Sequence, residues 1–146
     1  MSDFRKLSDS VWASPQITAD DVREAHERGF AMIVNNRPDG EVDDQPAGAD
    51  IAALAGQLGL AYRAIPITPG GFGPAEVTQM VEALESAQGP VLAYCRSGTR
   101  STLLWSLAQA AGGRDPEEIA SAAAAAGYDI SPVRPLVDQL AAHAND

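Results

Sequence analysis

The stretch VLAYCRSGTRS, Val91–Ser101, passes from an apolar run straight into the chain's only cysteine, followed by Arg96, Gly98, Arg100 and the hydroxyl of Ser101. The apolar run PVLAY reads as a buried strand, and STLLWSLAQAAGG after the cysteine reads as a helix ending at Gly112 or Gly113. A loop joining such a strand to a helix N-terminus aims backbone N–H groups and the helix dipole at one anion-sized space. The same field, with the cations of Arg96 and Arg100, favours a thiolate over a thiol at Cys95. Ser101 is placed to donate a hydrogen bond to the sulfur, and Gly98 permits the tight curl of the loop. A lone cysteine at a strand end is ordinarily a small core residue. Two arginines, a glycine and a hydroxyl beside it favour a reactive one.

Working outward, strand and helix signals alternate. FRKLSDSVWAS holds two short extended pieces, Phe4 to Leu7 and Val11 to Ala13, expected as a hairpin or sheet edge. TADDVREAHERG has Thr18 as N-cap, Asp20 and Asp21 in the first turn, and Gly29 as its stop. FAMIVN is a short apolar strand, the polar NRPDGEVDDQPAG a long loop, ADIAALAGQLG a helix and LAYRAIPI the next strand. Pro74 opens a helix that closes near Gly89. DPEEIASAAAAAG starts on Asp115 and Pro116, with Glu118 expected to complete a capping box, and SPVRPLVDQLAAH opens a last helix. The expected fold class is therefore α/β, with a mostly parallel central sheet and helices on both faces. On such a sheet, ligands bind beyond the C-terminal ends of the strands, where Cys95 lies.

At 146 residues the chain is long enough for one core, so residues 1–146 are expected to form a single domain. Twenty acidic against ten basic side chains give a net charge of −10, which argues against nucleic acid and anionic membrane surfaces as partners. No basic flank leads into an N-terminal apolar run, and no stretch of about 18 apolar residues occurs, so a cytoplasmic protein is expected. One cysteine and two distant histidines, His26 and His143, offer no zinc-ligand spacing, and TPGGFG lacks the spacing and lysine of a nucleotide loop. Neither a metal nor another cofactor is expected. Trp105 reads as a core residue and Glu76 as a helix-start carboxylate.

The segment YCRSGTRS, with VWASPQITADDVREAHERGFAMIVNNRPDGE upstream and IPI before the glycine-rich loop, resembles the phosphatase-like domain family found fused to beta-lactamase-hydrolase-like proteins. The resemblance covers roughly Phe4 to Gly112 and implies a fold similar to that of dual-specificity protein phosphatases. It leaves the reaction open, since members of the family are described both as phosphatases and as sulfurtransferases. Protein tyrosine phosphatases place five residues between the cysteine and the arginine of this loop, whereas four separate Cys95 from Arg100. CRSGTRS in that respect resembles the loop of single-domain rhodaneses, whose ring accommodates a cysteine persulfide. That resemblance implies that Cys95 carries the transferred sulfur, that Arg100 and the amides of Arg96, Ser97, Gly98 and Thr99 stabilise its charge, and that Arg96 attracts an anionic donor such as thiosulfate. Arg96 as a solvated surface charge is the competing reading.

Phosphatases of this fold also carry an aspartate roughly 30 residues before the cysteine to protonate the leaving oxygen. No aspartate occurs between Tyr62 and Cys95, and Tyr94 stands where histidine is usual. Asp39, Asp43 or Asp44 could still reach the site. Arg37 and Asp39 match the family's loop and are expected to orient the cysteine loop or the substrate, the alternative being a turn-stabilising ion pair. The leading expectation is a cysteine-dependent sulfurtransferase with catalytic residues Cys95, Arg100 and Ser101. The alternative is a phosphatase working through a cysteinyl-phosphate, and the third reading is a silent anion- or partner-binding module. With no second cysteine, a persulfide on Cys95 needs an external thiol acceptor, and hence a shallow, partly exposed opening at the loop.

Overall fold

A computed structural model describes residues 2–146. Its elements are β1 (Arg5–Lys6), β2 (Val11–Ser14), α1 (Ala19–Glu27), β3 (Met32–Asn35), α2 (Gly48–Gln57), β4 (Ala61–Ala64), α3 (Pro74–Ser86), β5 (Val91–Tyr94), α4 (Thr99–Ala111), α5 (Pro116–Ala125) and α6 (Arg134–Ala144). A 3₁₀ turn, Ser131–Val133, precedes α6. The sheet order is β1-β2-β5-β3-β4, with β1 antiparallel at one edge and every other pairing parallel. The expected hairpin forms, but its second strand runs inside the sheet beside β5, not along an edge.

Alternation along the strands divides two layers, because successive side chains point to opposite faces. Val11, Ala13, Met32, Val34, Val91 and Ala93 pack toward α3, α4, α5 and α6, around the fully buried Trp105. Ile33, Leu92 and Tyr94 face α1 and α2, against Val22, Ala25, Ile51 and Ala55. Helix α4 is buried from Ser101 through Ala108 because the other three helices of its layer surround it. That burial is what seats the loop before it.

Thr18 caps α1 through a reciprocal box with Asp21. The box expected at α5 is absent: Asp115 is the N-cap residue, but its side chain makes no capping bond, and Glu118 reaches toward Arg114 at 3.9 Å. The arginine one residue ahead of the cap competes for that carboxylate across a single turn. Ser14, Tyr94, Asn35 and Ala64 lie in one register row, so four parallel strands deliver their loops to the same end of the sheet.

Candidate active site

The cysteine loop is shaped by its backbone. Gly98 adopts φ +93°, the left-handed region, and serves as N-cap of α4. This turn brings the Gly98 N–H to 3.1 Å from Cys95 Sγ, on which it donates. A side chain at 98 would run into the Tyr128 hydroxyl, so glycine is required by space as well as by φ. Below the loop, the Thr102 hydroxyl and N–H both donate to the Gly98 carbonyl, at 2.9 and 3.0 Å. Above it, the Ser97 hydroxyl donates to Thr99 Oγ1 at 3.0 Å and accepts from the Thr99 N–H at 3.3 Å. Arg96, Ser97 and Thr99 are exposed, and Cys95 is fully buried. The expected opening therefore does not reach the sulfur itself. A cavity of about 430 Å³ lies to one side, lined by Arg37, Asp39, Tyr62, Pro66 and Thr68 among others.

The loop after β3 is shaped instead by its side chains. Asn35 Oδ1 accepts from the Arg37 N–H at 2.9 Å, and Gln45 ties the middle of the loop through Pro38 O and the Glu41 N–H. Glu41 is the residue on which the arginines converge. Arg100 donates to both its carboxylate oxygens, Nη1 to Oε2 at 2.8 Å and Nη2 to Oε1 at 2.9 Å, and Arg37 Nε adds a third bond at 2.8 Å. These donors, Arg100 first, hold the Glu41 carboxyl down at about 2 against its usual 4.5, despite the opposing cost of desolvation. Glu41 is thus ionised across the physiological range and holds no proton to give to a leaving group. Reciprocally, Glu41 strengthens the charge of Arg100, and the neighbouring sulfur of Cys95 adds to the effect.

Arg100 has five N–H bonds. Nη1 spends its two on Glu41 and on the carbonyl of Ile67 at 3.0 Å, and Nη2 spends one on Glu41. Among the described residues Nε and the second Nη2 hydrogen have no hydrogen-bond partner, and they form a two-donor edge of the kind that grips an oxyanion.

Arg37, expected to orient either loop or substrate, is 4% exposed at its side chain and ends on Glu41 and on Gln16 Oε1. Gln16 in turn donates its N–H to the Arg96 carbonyl at 3.1 Å, so Arg37 braces the cysteine loop from two sides without facing solvent. Asp39 is elsewhere: its Oδ1 accepts from Gly48 N at 2.8 Å and caps α2, so it makes no turn pair with Arg37. Asp43 and Asp44 are exposed. Glu76 accepts from Gly73 N at the start of α3, as its position implied. Tyr94 points into the α1–α2 layer, where burial pushes its phenol above the ordinary tyrosine range.

Ser101 requires a correction. Its hydroxyl donates to Asn36 Oδ1 at 2.7 Å and not to the sulfur. Asn36 is fully buried, and its Nδ2 donates to the Ile65 carbonyl at 2.9 Å, so the pair ties α4 to the ends of β3 and β4. A helical residue two positions into α4 points down into the protein, where a buried amide offers a better acceptor than the sulfur above. Glu41, Asn36, Gln16 and Tyr128 were not singled out from sequence. The one available signal was the glutamate closing NRPDGE, a carboxylate four residues after Arg37.

Residues 3–112 match the family described as "Beta-lactamase hydrolase-like protein, phosphatase-like domain". A beta-lactamase hydrolase-like protein of Xylella fastidiosa is 31% identical over 125 residues, covering 85% of this chain but only 29% of the relative, so the chain spans less than a third of that protein's length. Among solved structures, one described as a candidate phosphatase from Neisseria meningitidis is 34% identical, with TM-score 0.82 over 94% of this chain and 98% of that one. The kinase associated phosphatase, solved with serine replacing its catalytic site cysteine, shares the fold at 19% identity and TM-score 0.72, covering 98% and 97%. The family description and the Neisseria structure support a phosphatase-like function, the more distant neighbour shows the fold alone, and none of them bears on sulfur transfer. The chain belongs to the phosphatase-like domain family of beta-lactamase hydrolase-like proteins.

Proposed function

We propose that Cys95 is the nucleophile of an anionic group transfer, and that the group is sulfur. The observation that carries this reading is the short ring, with four residues between Cys95 and Arg100 and the Gly98 N–H already on the sulfur. The carboxylates of the β3 loop add to it, since Asp39 caps a helix and Glu41 is held ionised by two arginines. Sulfur transfer needs no acid. The Cys95 thiolate attacks the outer sulfur of thiosulfate or of a persulfide, a sulfur–sulfur bond forms as the donor's own breaks, and sulfite or a thiolate leaves with the electron pair. An external thiolate or cyanide then attacks the outer sulfur of the Cys95 persulfide, and the Cys95 thiolate leaves. The free edge of Arg100 and the loop amides stabilise the negative charge at each stage, with Arg96 as the exposed cation that meets the donor.

A second reading is favoured by the comparisons, which lean toward phosphate-ester hydrolysis. In it Cys95 attacks phosphorus, the ester oxygen leaves, and water hydrolyses the cysteinyl-phosphate. The leaving oxygen then needs a proton from Asp43, Asp44 or solvent. Paired assays separate the two: thiocyanate from thiosulfate and cyanide, and phosphate from an aryl phosphate, each on the protein and on Cys95→Ser. Cysteine-dependent thiocyanate formation is the expected result. Cysteine-dependent phosphate release without it assigns the site to the second reading, and neither activity leaves an anion- or partner-binding module.

A further inference from the structure

Tyr128 lies beyond the 3–112 segment that carries the family match, in the turn between α5 and α6. It is 8% exposed, and its hydroxyl donates to the Ser97 carbonyl at 3.1 Å. The Ser97 carbonyl and the Gly98 N–H belong to one planar trans peptide unit, in which they point in opposite directions. The far end of that unit is the N–H that donates to Cys95 Sγ at 3.1 Å. Phenol, peptide and sulfur thus form one line of hydrogen bonds. Gripping the carbonyl holds the peptide plane against rotation, and bonds in series polarise one another, so the N–H becomes a better donor.

The phenol is itself held. The Arg5 guanidinium lies over its ring at 5.2 Å, while Arg5 Nη1 donates to the Ala126 carbonyl at 3.4 Å. The phenol end of the ring occupies the place where a side chain on Gly98 would project, so the two residues are close neighbours. Burial raises the tyrosine's ionisation above its ordinary range, which keeps the hydroxyl a donor.

We infer that Tyr128 is a positioning residue for Cys95: through the Ser97–Gly98 peptide it aims and strengthens the N–H that stabilises the sulfur anion, so that the helices after the family segment complete the site. The inference rests on Cys95 being the reacting group, and it holds whichever anion is transferred.

Alkylation by iodoacetamide needs neither donor nor substrate and so tests the inference apart from the reaction. At one fixed, mildly acidic pH, Tyr128→Phe is expected to alkylate about two-fold more slowly, because the Gly98 N–H keeps its bond to the sulfur and loses only the strengthening passed along the peptide. The Gly98 amide resonance should move, and its hydrogen exchange should quicken. A purely structural role would lower the urea midpoint while leaving the alkylation rate of the folded protein and the Gly98 resonance at their original values, and that result overturns the inference. Should Tyr128→Phe not fold, Arg5→Ala keeps the hydroxyl but releases the ring, with a smaller slowing of about 1.5-fold expected. An unchanged rate in that variant overturns it equally.

Discussion

The loops after β5 and β3 leave the same end of the sheet from neighbouring strands, paired at Asn35 and Tyr94, yet they are built on opposite plans. The first is a short curl whose shape comes from its backbone: one left-handed glycine, a helix N-terminus and an N–H on the sulfur. The second is a long excursion held by side chains, with Asn35, Arg37, Glu41 and Gln45 bonding across it. The contrast shows a division of labour. The backbone loop fixes the turn around Cys95, and the side-chain loop decides which way Arg100 faces and what charge surrounds it. They meet at the Glu41–Arg100 pair.

Breaking the backbone plan should cost most. Gly98→Ala forces a side chain into the left-handed region and against Tyr128, and is expected to destabilise the fold by about 2–4 kcal/mol in urea titrations. A loss well under 1 kcal/mol would mean that the loop relaxes freely and is not shaped by this residue. Next comes the seam beneath the two loops. Asn36→Ala strands the Ser101 hydroxyl and the Ile65 carbonyl, both now satisfied, and should cost about 2 kcal/mol, read as a shift in urea midpoint at constant slope.

The most diagnostic test of the side-chain plan concerns Glu41 and reads the shape of a pH profile. Its folded ionisation lies at about 2 against a usual 4.5, so its contribution is fully present above 4.5 and is lost as pH falls toward 2. Glu41→Gln should therefore flatten the stability profile between those values relative to the parent, while the two proteins keep parallel profiles above pH 5 or so. Parallel profiles through the acid range as well would show that the arginines do not hold the carboxylate as the geometry indicates.

The same contrast explains what could be read from sequence. Backbone-shaped features leave local marks: an apolar run, a cysteine, a glycine and a helix signal within eleven residues placed the loop on the sheet's C-terminal end and predicted the fold class. Side-chain networks leave few, because most of their partners meet only after folding. Arg100 and Glu41 are 59 positions apart, and Ser101 and Asn36 are 65 apart. They come together because β3 lies beside β5, an order that strand patterning does not specify. Nearness in sequence points Ser101 at the sulfur, whereas the helix turns it inward to Asn36. Tyr128 was missed for the same reason, since its contact with Ser97 spans 31 positions.

The proposed role of Cys95 is to carry a transferred sulfur. Intact-protein mass spectrometry after incubation with thiosulfate addresses it directly, with Cys95→Ser treated in parallel. The account predicts a gain of one sulfur atom on the parent protein alone, stable after removal of the donor because the chain has no second cysteine to resolve it, and lost promptly when cyanide or a small thiol is added. An unchanged mass under these conditions, together with a phosphate adduct trapped on Cys95 from an aryl phosphate, would contradict it and assign the loop to phosphoryl transfer.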